Sequence, residues 1–214
     1  MYIYNDFVQN PDPPHQPMYL DKVLSSLRKY SPGLKIIDIG CGDGNFSESL
    51  TNKGFKVYGV DMSKSGIEIA KKRGVGEFVQ ASVYESLCEA LRCDLFDAAV
   101  SVEVIEHLYD PKLFLYQANK SLKKDGILIV TTPYWGYLKN IVLSITNRID
   151  NALTVNWDGG HIKHFSRKTL TLMASNYGFQ ILEFNGCGRR IPYLYKGMLL
   201  VFRKIQEPAS FVRY

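Results

Sequence analysis

Glu103, Glu106 and His107 place two acids and an imidazole within five residues. On a helical turn, positions i, i+3 and i+4 share one face. Two carboxylates and an imidazole on one face can ligate a divalent cation. Carboxylates favour Mg2+ or Mn2+, and the imidazole tilts the choice toward Mn2+ or Zn2+. The same residues can also work without a metal, with His107 as a general base and Glu103 as a contact to cofactor or substrate. A structural role is the third reading. A further ligand would come from His161 or His164, in residues 159–167.

A second group is built on glycine. Gly40, Gly42 and Gly44 follow directly on the β-rich run Ile36-Ile37-Asp38-Ile39. Glycine lets the backbone turn sharply and approach a ligand with no Cβ in the way. The crevice beyond the carboxyl end of such a strand is where doubly wound sheets bind ligands. The triplet alone is compatible with a plain turn. Asp61 strengthens it, because it falls at the end of the next apolar run, 17 residues after Gly44. A carboxylate there can accept the hydroxyls of a ribose, although alone it could simply favour a helix N-terminus. The spacing is G-x-G-x-G, with Asn45 standing where the dinucleotide fingerprint has its last glycine.

These groups need strand ends to hold them. The apolar pattern predicts a helix over 18–30 ended by Pro32-Gly33, a strand over 34–39 and a helix over 45–53. A strand over 55–60 and a helix over 63–73 follow, with Ser63 as N-cap. Further strands are expected at 77–80, 96–101 and 127–132, with helices at 85–92 and 111–122, the last carrying Pro in its first turn. Such alternation with continuous apolar strands means a parallel sheet covered on both faces. The rhythm breaks after Pro133. Residues 137–153 read as one amphipathic helix, part of a cap inserted over 134–160 whose Tyr134, Trp135, Tyr137 and Trp157 offer aromatic faces. Part of that helix is expected to pack its apolar side on the core. A helix over 166–177 N-capped by Ser166, then strands at 179–184 and 199–202, complete the chain. Residues 1–17 read as an irregular arm.

The residues resemble class I S-adenosylmethionine-dependent methyltransferases over 35–204. The resemblance rests on Asp38-Ile39-Gly40-Cys41-Gly42-Asp43-Gly44, Val60-Asp61, Phe96-Asp97, the run from Val102 to Leu108, and Leu122-Lys123-Lys124-Asp125-Gly126. It implies an α/β fold: a doubly wound, Rossmann-like sheet of seven strands, mostly parallel, with the last strand antiparallel and the cap after the fifth strand. It implies that Asp38, Gly40, Cys41, Gly42 and Gly44 lie beside the methionine part of S-adenosylmethionine, with Asp61 on the ribose and Glu103 close by. Ser82 stands where many members carry an Asp near the adenine amine, and its hydroxyl can still hydrogen-bond. The acidic cluster is similar to the carboxylate–carboxylate–histidine–histidine site of small-RNA 2′-O-methyltransferases and ubiquinone-pathway O-methyltransferases. Their distal histidine precedes an aromatic–x–Arg segment, here Phe165-Ser166-Arg167. That favours Glu103, Glu106, His107 and His161 as the ligand set for Mg2+ or Mn2+.

Composition narrows the class. With 214 residues the chain suits one domain, 1–214, carrying the cap as an insertion. The net charge of +5 permits contact with a phosphate or an anionic lipid surface but does not demand nucleic acid. Cys41, Cys88, Cys93 and Cys187 include no C-x-x-C pair, the first residues lack a signal-peptide pattern, and no apolar run reaches membrane-spanning length. A cytoplasmic protein is expected, and its oligomeric state is left open. The segment 186–197, with Arg189, Arg190, Tyr193, Tyr195 and Lys196, could clamp a phosphate or carboxylate, touch a lipid interface, or be a solvated loop.

Methyl transfer from a sulfonium is an in-line displacement with an excellent leaving group, so the protein mainly aligns the nucleophile. A hydroxyl acceptor gains from a base or a metal, whereas an amine or thiol needs less help. His107 beside two acids therefore favours oxygen. The expected activity is methylation of a small-molecule or glycan/lipid-intermediate acceptor, with catalysis by His107, Glu103 and Glu106. The alternatives are a metal-dependent RNA 2′-O-methyltransferase, disfavoured by missing basic extensions, and a non-catalytic binding protein of the same fold, disfavoured by the intact glycines and Asp61.

Overall fold

The computed structural model describes residues 16–153, 160–189 and 191–209. Residues 1–15 of the expected arm, Trp157 and Arg190 lie outside the described residues. Strands and helices alternate as predicted: α1 (Gln16–Tyr30), β1 (Lys35–Ile39), α2 (Asn45–Thr51), β2 (Lys56–Asp61), α3 (Lys64–Lys72), β3 (Glu77–Gln80), α4 (Leu87–Leu91), β4 (Phe96–Val102), α5 (Pro111–Ser121) and β5 (Leu122–Pro133). After these come α6 (Tyr137–Ile145), α7 (Ile149–Leu153), α8 (Arg167–Ser175), β6 (Phe179–Cys187) and β7 (Gly197–Lys204). Gln16 and Pro17 are drawn from the expected arm into α1.

The strands form one sheet of seven, ordered β3-β2-β1-β4-β5-β7-β6. Only β7 runs against its neighbours, β5 and β6. The order reverses between β1 and β4, which leaves a crevice at their carboxyl ends. The period-2 alternation of each strand divides its apolar residues between two cores. Ile37, Ile39, Ala99, Leu128, Val130, Leu200 and Phe202 pack on one face. Ile36, Ala98, Val100, Ile127, Ile129, Leu199 and Val201 pack on the other, where Tyr19, Val23 and Leu27 of α1 cover them. Each buried Leu, Ile, Val or Phe contributes roughly 1.5–3 kcal/mol.

Local chemistry sets the helix starts. Ser63 accepts from the Gly66 amide, and Asp110 accepts from Leu113 with Pro111 opening the helix. Ser166 and Thr169 bond reciprocally as a capping box. Asp125-Gly126 lies within β5, whose pairing jumps from Phe96↔Leu122 to Ala98↔Ile127 with Asp125 in the left-handed region.

The segment after β5 departs from the single helix expected over 137–153. It breaks at residues 146–148, where Asn147 adopts a φ of 52°, leaving α6 and α7. No residue of α6 is buried, so the expected packing of its apolar side on the core is not found. Tyr137 is 83% exposed and Ile145 80%. Periodicity reveals that a helix is two-sided, not which surface its apolar side meets. Among the described residues, no helix is long and apolar enough to cross a membrane.

Candidate active site

The carboxyl ends of β1 and β2 carry the first half of the site. Gly40, Gly42 and Gly44 all have positive φ. A Cβ on Gly40 would collide with Val104, so the turn needs glycine for space as well as for conformation. Gly40 and Cys41 donate their amides to the Val60 carbonyl, docking the loop on β2. Asp61 accepts from the Gly42 amide at 2.9 Å with one oxygen and from the Ser63 amide at 2.8 Å with the other. Each oxygen keeps a lone pair for a ribose hydroxyl. Burial raises the Asp61 pKa, and the two amide bonds pull it back. Arg73 braces the loop from behind through Asp43 and Glu48.

Asp38, Cys41 and Ser82, also expected at the cofactor, make contacts within the protein. Asp38 is 2% exposed, and its carboxylate accepts from the Ser47 hydroxyl at 2.6 Å, tying β1 to α2. Burial pushes its pKa up to about 7, with Ser47 opposing and Asp61 adding to the rise. The Cys41 side chain packs with Ile67, Ala70 and Phe78, so only its backbone faces the loop. Ser82 uses its hydroxyl to accept from the Tyr84 amide at 3.2 Å.

The second half lies past β4. Only Ile105–His107 forms a single 3-10 turn. Glu103 precedes it with a left-handed φ of 55°, so the shared helical face expected for Glu103, Glu106 and His107 does not form. Glu103 turns instead toward α1 and β5. Its Oε1 accepts from the Tyr19 hydroxyl at 2.8 Å and the Thr131 hydroxyl at 3.3 Å. Burial pushes Glu103 up to about 7 against these bonds, and burial likewise raises Tyr19.

Glu106 is fully buried at the head of a different trio. One ligand atom from each of Glu106, His107 and His161 lies within 4.8 Å of the others. The two imidazole rings sit 5.0 Å apart, and His161 Nε2 is 4.0 Å from Glu106 Oε1. Among the described residues, neither Glu106 oxygen has a well-formed hydrogen bond, although Thr132 and Glu103 lie alongside. Burial, and then the Glu103 charge, hold its pKa well above the usual carboxylate range. The distal histidine arrives by main-chain bonds, since Ile162 and Lys163 both donate amides to the Glu106 carbonyl, at 3.0 and 2.9 Å. His164 stays apart, its ring 4.2 Å from that of Trp135.

Tyr19 was not singled out from sequence. Its signal was its spacing with Val23 and Leu27 at i, i+4 and i+8, which marks the buried face of α1. An open concavity of about 470 Å3, bordered by Thr51, Lys56, Val75 and Glu77, lies at the amino ends of β2 and β3. It gathers no cluster of acids and imidazoles, so the chemistry belongs to the carboxyl edge.

The strand order, the glycine turn and the acid at the end of β2 define the class I S-adenosylmethionine-dependent fold. The family described as "Methyltransferase domain" matches residues 15–183, and the chain belongs to it as a methyltransferase using S-adenosylmethionine. The residues fit that cofactor: Gly40 leaves the space a Cβ would fill, and Asp61 retains acceptor capacity. The ubiquinone biosynthesis O-methyltransferase of Bartonella quintana is 37% identical over 101 residues, covering 46% of this chain and 41% of that protein. That of Pelagibacter ubique is 34% identical over 113 residues, covering 52% and 47%. The matched part thus spans less than half the length of these relatives. In structure, the chain is similar to the magnesium protoporphyrin IX methyltransferase of Synechocystis PCC 6803 with bound SAH, with a TM-score of 0.67, 19% identity and coverage of 94% and 90%. It is also similar to the methyltransferase domain of bacterial CtHen1, with a TM-score of 0.66, 26% identity and coverage of 88% and 98%.

Proposed function

We propose that the chain methylates an oxygen of a small-molecule or glycan/lipid-intermediate acceptor. The observation that carries this reading is the buried Glu106 side chain, without a well-formed hydrogen bond among the described residues, beside His107 and His161 and next to the cofactor turn. A hydroxyl is a weak nucleophile and needs its proton drawn off as it attacks. His107, partly exposed at the carboxyl edge, is the group suited to take that proton. Burial disfavours ionised Glu106, so its carboxylate would form as the imidazole takes on charge. The O-methyltransferase names of the sequence relatives support oxygen.

The trio also fits a divalent cation. Ligand bonds of ~2.0–2.2 Å hold donors no more than ~4.4 Å apart, so a contraction of a few tenths of an ångström would assemble the set. Glu106, His107 and His161 would hold Mg2+ or Mn2+, with Glu103 kept back by Tyr19. Such a cation supplies Lewis acidity toward the acceptor oxygen. The same trio suits a second reading, methylation of an RNA ribose, whose vicinal hydroxyls could meet a cation held there. The exposed apolar side of α6 suits peripheral contact with a membrane carrying a lipid-linked acceptor.

The test is transfer of labelled methyl from S-adenosylmethionine to catechols, vicinal-diol sugars and an RNA oligonucleotide, each with Mn2+ or with excess EDTA. Label on catechol or sugar is expected. Label on RNA alone selects the second reading, and full activity in EDTA leaves His107 as base without a cation. Failure to bind S-adenosylhomocysteine removes the reading altogether.

A further inference from the structure

Three cations, Lys139, Arg189 and Lys196, lie around the end of β5 and the start of β7. The Lys139 ammonium, on α6, donates to the Tyr134 carbonyl at 2.7 Å and lies 3.4 Å from that of Lys196. It is therefore held where β5 ends and β7 begins. The Lys196 amide donates to the Cys187 carbonyl at 2.9 Å, and its side-chain stem lies against Gly188. Arg189 follows Gly188 and is exposed. Among the described residues, no carboxylate forms an ion pair with Lys139, Arg189 or Lys196. Glu103 is the acid whose charge reaches Lys139, and its carboxylate is engaged by Tyr19 and Thr131.

A half-buried ammonium held by two carbonyls, at the base of the hairpin that carries Arg189, and with Glu103 already engaged, is short of an anion. Burial, and then the Arg189 charge, lower the Lys139 pKa to about 8. The Trp135 ring lies 5.7 Å from the same ammonium, adding an apolar wall. In the sheet order this corner, at the end of β5 and the start of β7, is separated by β4 from the glycine turn and Asp61 at the ends of β1 and β2.

We propose that Lys139 and Arg189 form an anion-recognising subsite for the acceptor, so that the molecule methylated carries a carboxylate or phosphate. The inference rests on the methyltransferase reading and adds the charge class of the substrate. The guanidinium offers a planar fork to either anion, and the ammonium adds a point charge.

The experiment is calorimetry on the full chain saturated with S-adenosylhomocysteine, titrated with phenyl phosphate, with benzoate and with uncharged phenol. At least one charged ring should bind tenfold or more tighter than phenol. The stronger of the two tells phosphate from carboxylate. Lys139→Met and Arg189→Met should each reduce that preference at least fivefold while leaving S-adenosylhomocysteine affinity unchanged. Equal binding of phenol and both anions overturns the proposal, as does a preference that survives both substitutions. Weakened S-adenosylhomocysteine binding in the variants also overturns it, because the cations would then serve the cofactor. A wild-type chain that binds no S-adenosylhomocysteine marks failure of the methyltransferase reading, and the anion titrations on that chain still decide the subsite.

Discussion

The Tyr19 hydroxyl, carried by α1, reaches Glu103 Oε1 at 2.8 Å only because residue 197 is glycine. A Cβ there would collide with the phenol oxygen. The first helix thereby fixes an acid at the end of β4, where Glu103 sits in a left-handed conformation that few side chains adopt.

Tyr19→Phe should therefore lower turnover more than it lowers cofactor binding. A hydrogen bond to a charged group contributes about 1.5–3 kcal/mol, which corresponds to roughly 10- to 150-fold in rate if the geometry of Glu103 matters in the transition state. Gly197→Ala should act in the same direction and also lower the melting temperature. Steady-state kcat beside calorimetric S-adenosylhomocysteine affinity decides it. Equal losses in both would make Tyr19 a structural residue only.

Asp61→Ala should weaken S-adenosylhomocysteine binding by ~1.5–3 kcal/mol through a lost charged hydrogen bond. The Gly42 and Ser63 amides also lose their acceptor. Asp61→Asn, which keeps one acceptor oxygen, should fall between. Wild-type affinity in both variants would remove Asp61 from the cofactor site.

The Asp38 pKa, about 7 in the folded chain, lies above its ordinary ~3.9. Between those values the native chain holds a proton that the unfolded chain has released. This contribution to stability is present in full below about pH 4 and is lost as pH rises toward 7. The span is at most about 4 kcal/mol. Asp38→Asn can still accept from Ser47 but cannot ionise, so its stability should fall less between pH 5 and pH 8. Urea unfolding of both proteins at those two pH values measures the difference, and identical changes would show that Asp38 does not titrate there.

Ile145→Ser, on the exposed side of α6, should change unfolding free energy by no more than about 0.5 kcal/mol. Ile129→Ala, at a fully buried position of β5, should cost about 2–5 kcal/mol. Co-sedimentation with anionic lipid vesicles should fall in the Ile145 variant if α6 meets a membrane. A large stability loss at Ile145 would mean that α6 packs on the protein after all.

The glycine turn and Asp61 were legible because they depend on neighbours in sequence: a strand, a turn that needs positive φ, and an acid one strand along. Helix starts at Ser63 and Ser166 were legible for the same reason, since a cap bonds to an amide three residues on. The Tyr19–Glu103 bond joins residues 84 apart, and nothing in the local pattern of α1 points to an acid beyond β4. The shared-face argument for Glu103 failed because it assumed helical backbone through a residue that turns left-handed. Glu106, His107 and His161 do come together, through main-chain bonds that composition and spacing leave unseen.

Those bonds have a consequence for how the site can change. The Glu106 carbonyl closes a long loop of chain by accepting two amides, and backbone groups are the same whatever side chains stand at 106, 107 and 161. The clasp and the donors it presents are thus separable. Substituting the imidazoles alters the chemistry without opening the loop, so this corner can exchange one set of reactive groups for another while the framework persists. The donors at this corner are free to change on a clasp made by the main chain alone.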